Sequence, residues 1–277
     1  MSAAKVKNIQ YLIKQRSKVL EIARGYFSRK GILEVQIPVL SSHTVTDPEI
    51  NSISVPGYGY LQSSPEYLMK RLLAFGAPSI YSIGPAFRDA ENGHQHRPEF
   101  IMLEWYRRGL NDLELIEEIK ELLDLILGKM PYQELTYSEV LLSKDNDHQE
   151  EDLRFAIACE ALKPGRFIIK DYPAEKAVLA RIDEENPSIS RRFEFVIDGL
   201  ELANGYFELQ DFTEHLSRFS ADNQMRKRRD LPLIDVDPEF MASVSEGLPT
   251  CAGVAMGFDR LMMLREGVVD IAEISLF

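Results

Sequence analysis

Apolar residues recur along one helical face from Ile9 to Phe27, through Leu12, Ile13, Val19, Leu20 and Ala23. Gly31 suits the turn that ends such a helix. ILEVQIP follows and predicts a short strand stopped by Pro38. Residues 41–62 are polar and turn-rich, apart from the alternating ISVPGYGYLQ. At 64–66, Ser-Pro-Glu reads as a helix start: Ser64 can cap, Pro65 suits the first turn, and Glu66 favours the positive end. That helix is expected to reach Phe75. SIYSIGPAFR and FIMLEWYRRG predict two strands, and Asn111 or Asp112 caps a helix over 113–128.

The pattern weakens over 131–175, where a helix at 152–162 is the clearest element. RRFEFVIDGLELANGYFELQD alternates strongly and contains Asp-Gly and Asn-Gly, the favoured hairpin dipeptides. It predicts a two- or three-stranded antiparallel meander turning at both. Helices are expected over 211–229 and 237–247. CAGVAMG then reads as a small-residue strand, and FDRLMMLREG as a helix entered through Gly257. Hairpin-joined strands and clustered helices favour α+β with a mainly antiparallel sheet. With no repeat and no Pro, Gly or Ser linker, residues 1–277 read as one domain.

Composition changes this picture little. A chain of 277 residues that is 45% apolar can bury a large core. The first residues are broken by lysines and arginines, so no signal peptide is expected. No window approaches the ~18 apolar residues of a membrane span. Cys159 and Cys251 make neither a disulfide framework nor a metal site, which fits a reducing cytoplasm. A net charge of −12 argues against non-specific gripping of nucleic acid. The one dense basic run, MRKRRD at 225–230, reads as a solvated helix end.

The candidate chemistry lies in carboxylates and arginines. Glu194, Glu201 and Glu208 sit between apolar neighbours, around the two expected turns. For one such residue, a solvent-facing side chain is the simpler reading. Three on successive strands can share a face, where they would repel unless they held divalent cations or a cationic substrate. Arg88 ends a strand beside a polar loop, and Arg260 lies in the first turn of a helix. Alone, either arginine reads as an ordinary ion-pair residue. Together with the glutamates they suggest a bound polyphosphate and Mg²⁺. There is no GxxxxGK[ST] and no GxGxxG, so a nucleotide would not use those loops. No Ser-His-Asp or Cys-His arrangement is visible, and His94 and His96 read as loop hydrogen-bonding residues.

Taken together, these stretches resemble the catalytic domain of class II aminoacyl-tRNA synthetases, in the lysyl branch. RSKVLEIARGYFSRKGILEVQIPVL, FRDAENGHQHRPEFIMLEWY and GVAMGFDRLMML look like that class's three motifs. SSPEYLMKRLL and GLELANGYFELQDFTEHLSRF look like lysyl-type elements between them. The likeness runs from about Arg16 onward. Two features set the chain apart from lysyl-tRNA synthetases: it has no room for an anticodon-binding domain, and Ala255 stands where they generally have glycine. Both are similar to the paralogs that ligate (R)-β-lysine to elongation factor P.

That resemblance implies an ATP- and Mg²⁺-dependent, AMP-forming ligase with elongation factor P as acceptor, lysine or (R)-β-lysine as substrate, and no tRNA. It also implies a homodimer and a class II antiparallel sheet flanked by helices. Arg88 and Arg260 are the implied catalytic residues. The implied ATP set is Arg88, Glu91, Arg97, Phe100, Glu201, Leu202, Gly257 and Arg260. Ser64, Glu66, Tyr106, Asn204, Glu208 and Ala255 are implied for the substrate, and Glu194 and Glu201 for the metal. The loop departs from the class pattern twice, with Ala90 where FRxE has glutamate and Arg97 where HNPEF has asparagine. A compact lysyl-tRNA synthetase-like enzyme and a non-catalytic ATP-binding paralog remain as alternatives.

Overall fold

A computed structural model describes residues 3–142 and 150–276. The helical period seen from Ile9 becomes α1 (Ala3–Arg29), which buries Val19, Ala23 and Phe27. Gly31 has φ +69° and takes the left-handed turn that ends it. ILEVQIP gives only the two-residue strand β1 (Leu33–Glu34). Its ladder stops before Pro38, which has no N–H to donate. The polar stretch folds as a small sheet of β2 (Leu40–Ser41), β3 (Ser54–Val55) and β4 (Gly59–Leu61). Then come α2 (Glu66–Ala74), β5 (Ile80–Phe87), β6 (Glu99–Arg108) and α3 (Asp112–Leu127). Asn111 and Glu114 form a capping box at the start of α3.

The faint middle resolves into β7 (Tyr132–Thr136), α4 (Tyr137–Leu142), α5 (Glu151–Glu160), β8 (Arg166–Lys170), β9 (Tyr172–Pro173) and β10 (Ile189–Ser190). The chain closes with β11 (Arg192–Ile197), β12 (Leu200–Phe207), α6 (Phe212–Arg228), α7 (Pro238–Gly247), β13 (Cys251–Gly257) and α8 (Phe258–Glu266).

An eight-stranded sheet runs in the order β1-β5-β6-β13-β12-β11-β8-β7. The strands from β5 to β8 in that order pair antiparallel, and only the outer pairs β1–β5 and β7–β8 are parallel. The fold is therefore α+β with a mainly antiparallel sheet, as the pattern predicts. One face of the sheet presents Leu103, Trp105, Val254, Met256, Ala203, Phe193 and Phe195 to α1, α3 and α8, forming the main core. The register places Glu104, Ala255, Asn204 and Glu194 in one row across four strands, on the opposite face. No helix among the described residues is long and apolar enough to cross a membrane.

Two expectations fail here. Only Asp198-Gly199 makes a turn; Asn204-Gly205 lies inside β12, opposite Glu194 and Phe193. Gly205 serves packing: a Cβ there would fall 2.3 Å from Phe193 Cζ and 2.9 Å from the Gly253 carbonyl. The run RRFEFVIDGLELANGYFELQD is thus one hairpin, followed by a connection to α6. Arg226, in the basic run, is buried rather than solvated. It donates to the carbonyls of Pro232 and Asp47 and so ties the end of α6 to the loop after β2.

Candidate active site

A cavity of about 970 Å³ opens on the polar face of the sheet, and every candidate site residue lines it. At one end lies the loop between β5 and β6. Arg88 follows β5, and its guanidinium carbon sits 5.3 Å from the centre of the Phe100 ring on β6. Its Nε donates to the Ser63 carbonyl (3.4 Å), and Nη1 lies 3.5 Å from Glu91 Oε1. Ala90 adopts φ +61°, a turn conformation that turns the chain between Arg88 and Glu91. Arg260, in the first turn of α8, donates to the Glu201 carbonyl at 2.7 Å and meets His96 Nε2 at 2.5 Å. Burial, and then Arg260, lowers the pKa of His96 and leaves that nitrogen free to accept. Asp259 fixes the start of α8 by accepting from Arg16 (2.8 Å) and from the Ile101 N–H (2.7 Å).

The same loop is fastened to the chain beyond α8. His94 Nδ1 contacts Asp270 at 2.9 Å, the Ile271 N–H donates to the His94 carbonyl, and Arg97 donates to Ser275 at 2.6 Å. The histidines therefore act as loop hydrogen-bonding groups, and Arg97 reaches the cavity from a held position.

At the other end the walls become acidic and buried. Ser64 donates to Glu104 at 2.8 Å and also accepts from the Glu66 N–H at 3.1 Å, so it shapes the start of α2 as well as the pocket. Tyr106 donates to the other oxygen of Glu104 at 2.7 Å. Glu66 and Glu208 each lie 2.6 Å from the ammonium of Lys70. Burial, and then Glu66, raises Glu104 to about 7. Burial also raises Glu208, against the pull of Lys70, to about 8. Gly253 lets these groups meet: a Cβ there would lie 2.4 Å from both Glu208 Oε1 and Tyr106 Cε1.

Glu194 and Glu201 lie apart from this cluster. Alternation alone would put Glu201 and Asn204 on opposite faces. The register instead shifts after Phe195↔Ala203, so that Val196 faces Glu201 and Leu202 is the extra residue. This bulge turns Glu201 to the side that Glu194 occupies. Burial, and then the Glu201 charge, raises Glu194, while Arg192 at 2.7 Å opposes the shift. The expected glutamate trio is therefore a pair plus a separate residue: Glu208 belongs with Glu66 and Glu104. No group of three His, Cys, Asp or Glu positioned to hold a metal ion occurs among the described residues. Glu194 and Glu201 are of the hard oxygen ligand type that Mg²⁺ takes, and in this structure they face Arg192 at 2.7 Å and Arg260 at 3.7 Å, respectively.

Lys70, Glu104 and Gly253 escaped the reading of the sequence. Only Lys70 carried a local signal, its i,i+4 spacing from Glu66 on a helix that could be foreseen. Glu104 and Gly253 acquire their places from pairing between β6 and β13, which no local pattern shows.

Residues 2–277 match the family described as tRNA synthetases class II (D, K and N). Among similar proteins is one named elongation factor P–(R)-beta-lysine ligase from Vibrio vulnificus (strain YJ016). It is 38% identical over 306 aligned positions, covering 96% of this chain and 94% of its own. A protein of the same name from Avibacterium paragallinarum is 36% identical, covering 98% and 95%. Another, from Haemophilus influenzae (strain ATCC 51907 / DSM 11121 / KW20 / Rd), is 37% identical, covering 90% and 89%.

Proposed function

Because this chain belongs to the class II tRNA synthetase family, we propose that it is an ATP-dependent ligase that joins (R)-β-lysine, or lysine, to a lysine of elongation factor P. The observation that carries the reading is the single cavity joining an arginine-lined end to a buried acidic end. The first suits a triphosphate and the second a substrate with two amines. Relatives bearing that activity in their names cover nearly the whole chain.

Arg88 would contact the α-phosphate and Arg260 the distal phosphate, with adenine stacked on Phe100 beside Leu202 and Gly257. Glu91 and Arg97 border the nucleotide. Glu208 and Tyr106 would hold the far ammonium of the substrate, and Ser64, Glu66 and Asn204 its other amine and its carboxylate. Asn204 Oδ1 is buried without a protein partner, as an atom awaiting a ligand would be. Ala255 would shape the wall between the two amines. Glu194 and Glu201 would hold Mg²⁺, which supplies charge neutralisation at phosphate oxygens.

The reaction follows in two steps. A substrate carboxylate oxygen attacks the α-phosphorus of ATP, the bond to the β-phosphate oxygen breaks, and pyrophosphate leaves. Arg88 and Arg260 offset the charge that develops on phosphate oxygens. The acceptor amine then attacks the carbonyl carbon of the adenylate. AMP leaves, an amide forms, and one proton is released. No protein nucleophile is required. A homodimer is part of the same proposal, supported by the exposed apolar side chains Leu33, Val39 and Leu40.

Pyrophosphate exchange with ATP tests the reading, run separately with (R)-β-lysine and α-lysine, followed by transfer of labelled substrate to elongation factor P. Exchange and transfer are expected. Absence of exchange with both amino acids sinks the enzyme reading. Transfer to tRNA but not to the factor would assign the chain to tRNA charging instead.

A further inference from the structure

Lys70 has no exposed surface and stands behind the acidic wall of the cavity. Its ammonium lies 2.6 Å from Glu66 Oε1, one helical turn away, and 2.6 Å from Glu208 Oε2. Each carboxylate thus commits one oxygen to Lys70. The second oxygen of Glu208 lies over Gly253, in the cavity wall. Glu104, the third carboxylate, accepts from Ser64 and Tyr106. Burial works against a charge on Lys70, but Glu208 and Glu66 outweigh it and raise its pKa. His215 approaches from α6 and stays neutral, pushed by burial and then by Lys70 to about 4. Tyr106, Tyr206 and the Cys251 thiol, all raised first by burial, also stay neutral near pH 7. Three carboxylates against one ammonium leave two negative charges, formally, at this end of the cavity.

We propose that Lys70 is a positioning residue for the substrate. As the pocket's built-in ammonium, it holds Glu66 and Glu208 in place and leaves two carboxylate charges for a substrate with two amines. The inference rests on the ligase reading of the same cavity and deepens it: Lys70 sets the preference for diamino over monoamino acids. Burial raises Glu104 to about 7 and Glu208 to about 8, so a bound ammonium competes with protons for these carboxylates.

The test compares wild-type protein with Lys70→Met, which keeps length and loses charge, and Lys70→Arg, which keeps charge. In pyrophosphate exchange, Lys70→Met should raise the KM for lysine about 100-fold and leave the KM for ATP unchanged. It should also move the acid limb of kcat/KM for lysine to higher pH, because the carboxylates have lost their cation. Lys70→Arg should keep the wild-type limb. A Lys70→Met protein with the lysine KM and acid limb of the wild type overturns the proposal, since packing alone would then explain the residue. If that variant fails to fold, Lys70→Gln, shorter and uncharged, replaces it under the same criteria. Calorimetry at pH 7 compares lysine binding by the wild type and the uncharged variant: weaker binding by the variant is expected, and equal binding overturns the proposal. If the wild type binds lysine but shows no exchange, the ligase reading falls, while this comparison still decides the role of Lys70.

Discussion

Gly253→Ala probes the acidic end through a single methyl group. The added carbon would lie 2.4 Å from Glu208 Oε1, 2.4 Å from Tyr106 Cε1 and 2.5 Å from Tyr106 Cδ1. Ordinary contact requires roughly 3.5–4 Å, so both groups must retreat by about an ångström. Neither is free to do so: Tyr106 is 3% exposed and tied to Glu104, and Glu208 is 1% exposed and tied to Lys70. Overpacking of this kind costs about 1–3 kcal/mol, and the upper end applies where the neighbours are tethered. If the retreat also breaks one charged hydrogen bond, a further ~1.5–3 kcal/mol is at stake. The overpacking alone, at ~3 kcal/mol, corresponds to a fall of roughly 6–12 °C in melting temperature. The phosphate end is built from other residues, so ATP binding should survive. The assays are thermal unfolding and pyrophosphate exchange, with separate KM values for ATP and for the amino acid. Lysine KM should rise by about ten-fold or more, at ~1.4 kcal/mol per decade, with ATP KM unchanged. A folded alanine variant with the wild-type lysine KM would refute the placing of Glu208 and Tyr106 around the substrate.

Glu208→Ala should abolish binding of the amino acid while sparing ATP in direct titrations. Equal loss of both, or survival of amino-acid binding, would remove Glu208 from the substrate site. The pH dependence follows from Glu104 near about 7 and Glu208 near about 8, both raised chiefly by burial. These carboxyls favour the empty fold below the ordinary carboxylate range, and that contribution is lost as pH rises through about 7 to 8. Melting temperature without substrate should fall across this window, whereas kcat/KM for lysine should rise, since an ammonium binds the ionised form. A flat kcat/KM profile over the window would contradict the assignment. Ala255→Gly should change the ratio of kcat/KM between α-lysine and (R)-β-lysine by about 1–3 kcal/mol; an unchanged ratio would show that this methyl does not face the differing amine.

The elements that could be read from sequence are those whose signals are local. The period of α1, the Asn111–Glu114 capping box and the strands flanking the β5–β6 loop all follow from neighbouring residues. Asn204-Gly205 misled because the dipeptide is compatible with a turn, yet Gly205 is required by the Phe193 ring across the hairpin. The glutamates at 194, 201 and 208 do line one cavity, but pattern alone offered this only as a possibility, because face assignment depends on register and the Leu202 bulge is what brings Glu201 to the side of Glu194. Arg226 looked like surface charge, but its partners are carbonyls at Pro232 and Asp47, and Asp47 is far away in sequence. Every site residue that the resemblance named lines the cavity. Lys70 and Gly253, which set its charge and its room, were visible only once helix and strands were in contact.

The pairing of β6 with β13 has a consequence for how the enzyme comes into being. Arg108 opposes Cys251 and Met102 opposes Gly257, so a seam through the middle of the sheet joins an early run of chain to a late one. Arg88, Phe100 and Tyr106 lie on one side of the seam, and Glu208 and Arg260 on the other. Closing so long a loop is entropically costly and slows folding. Until it closes, each half presents an unsatisfied strand edge on which other chains can pair. Half a protein therefore has no half-activity. Nucleotide affinity, amine affinity and resistance to aggregation should emerge together during refolding, in one step, when the seam zips.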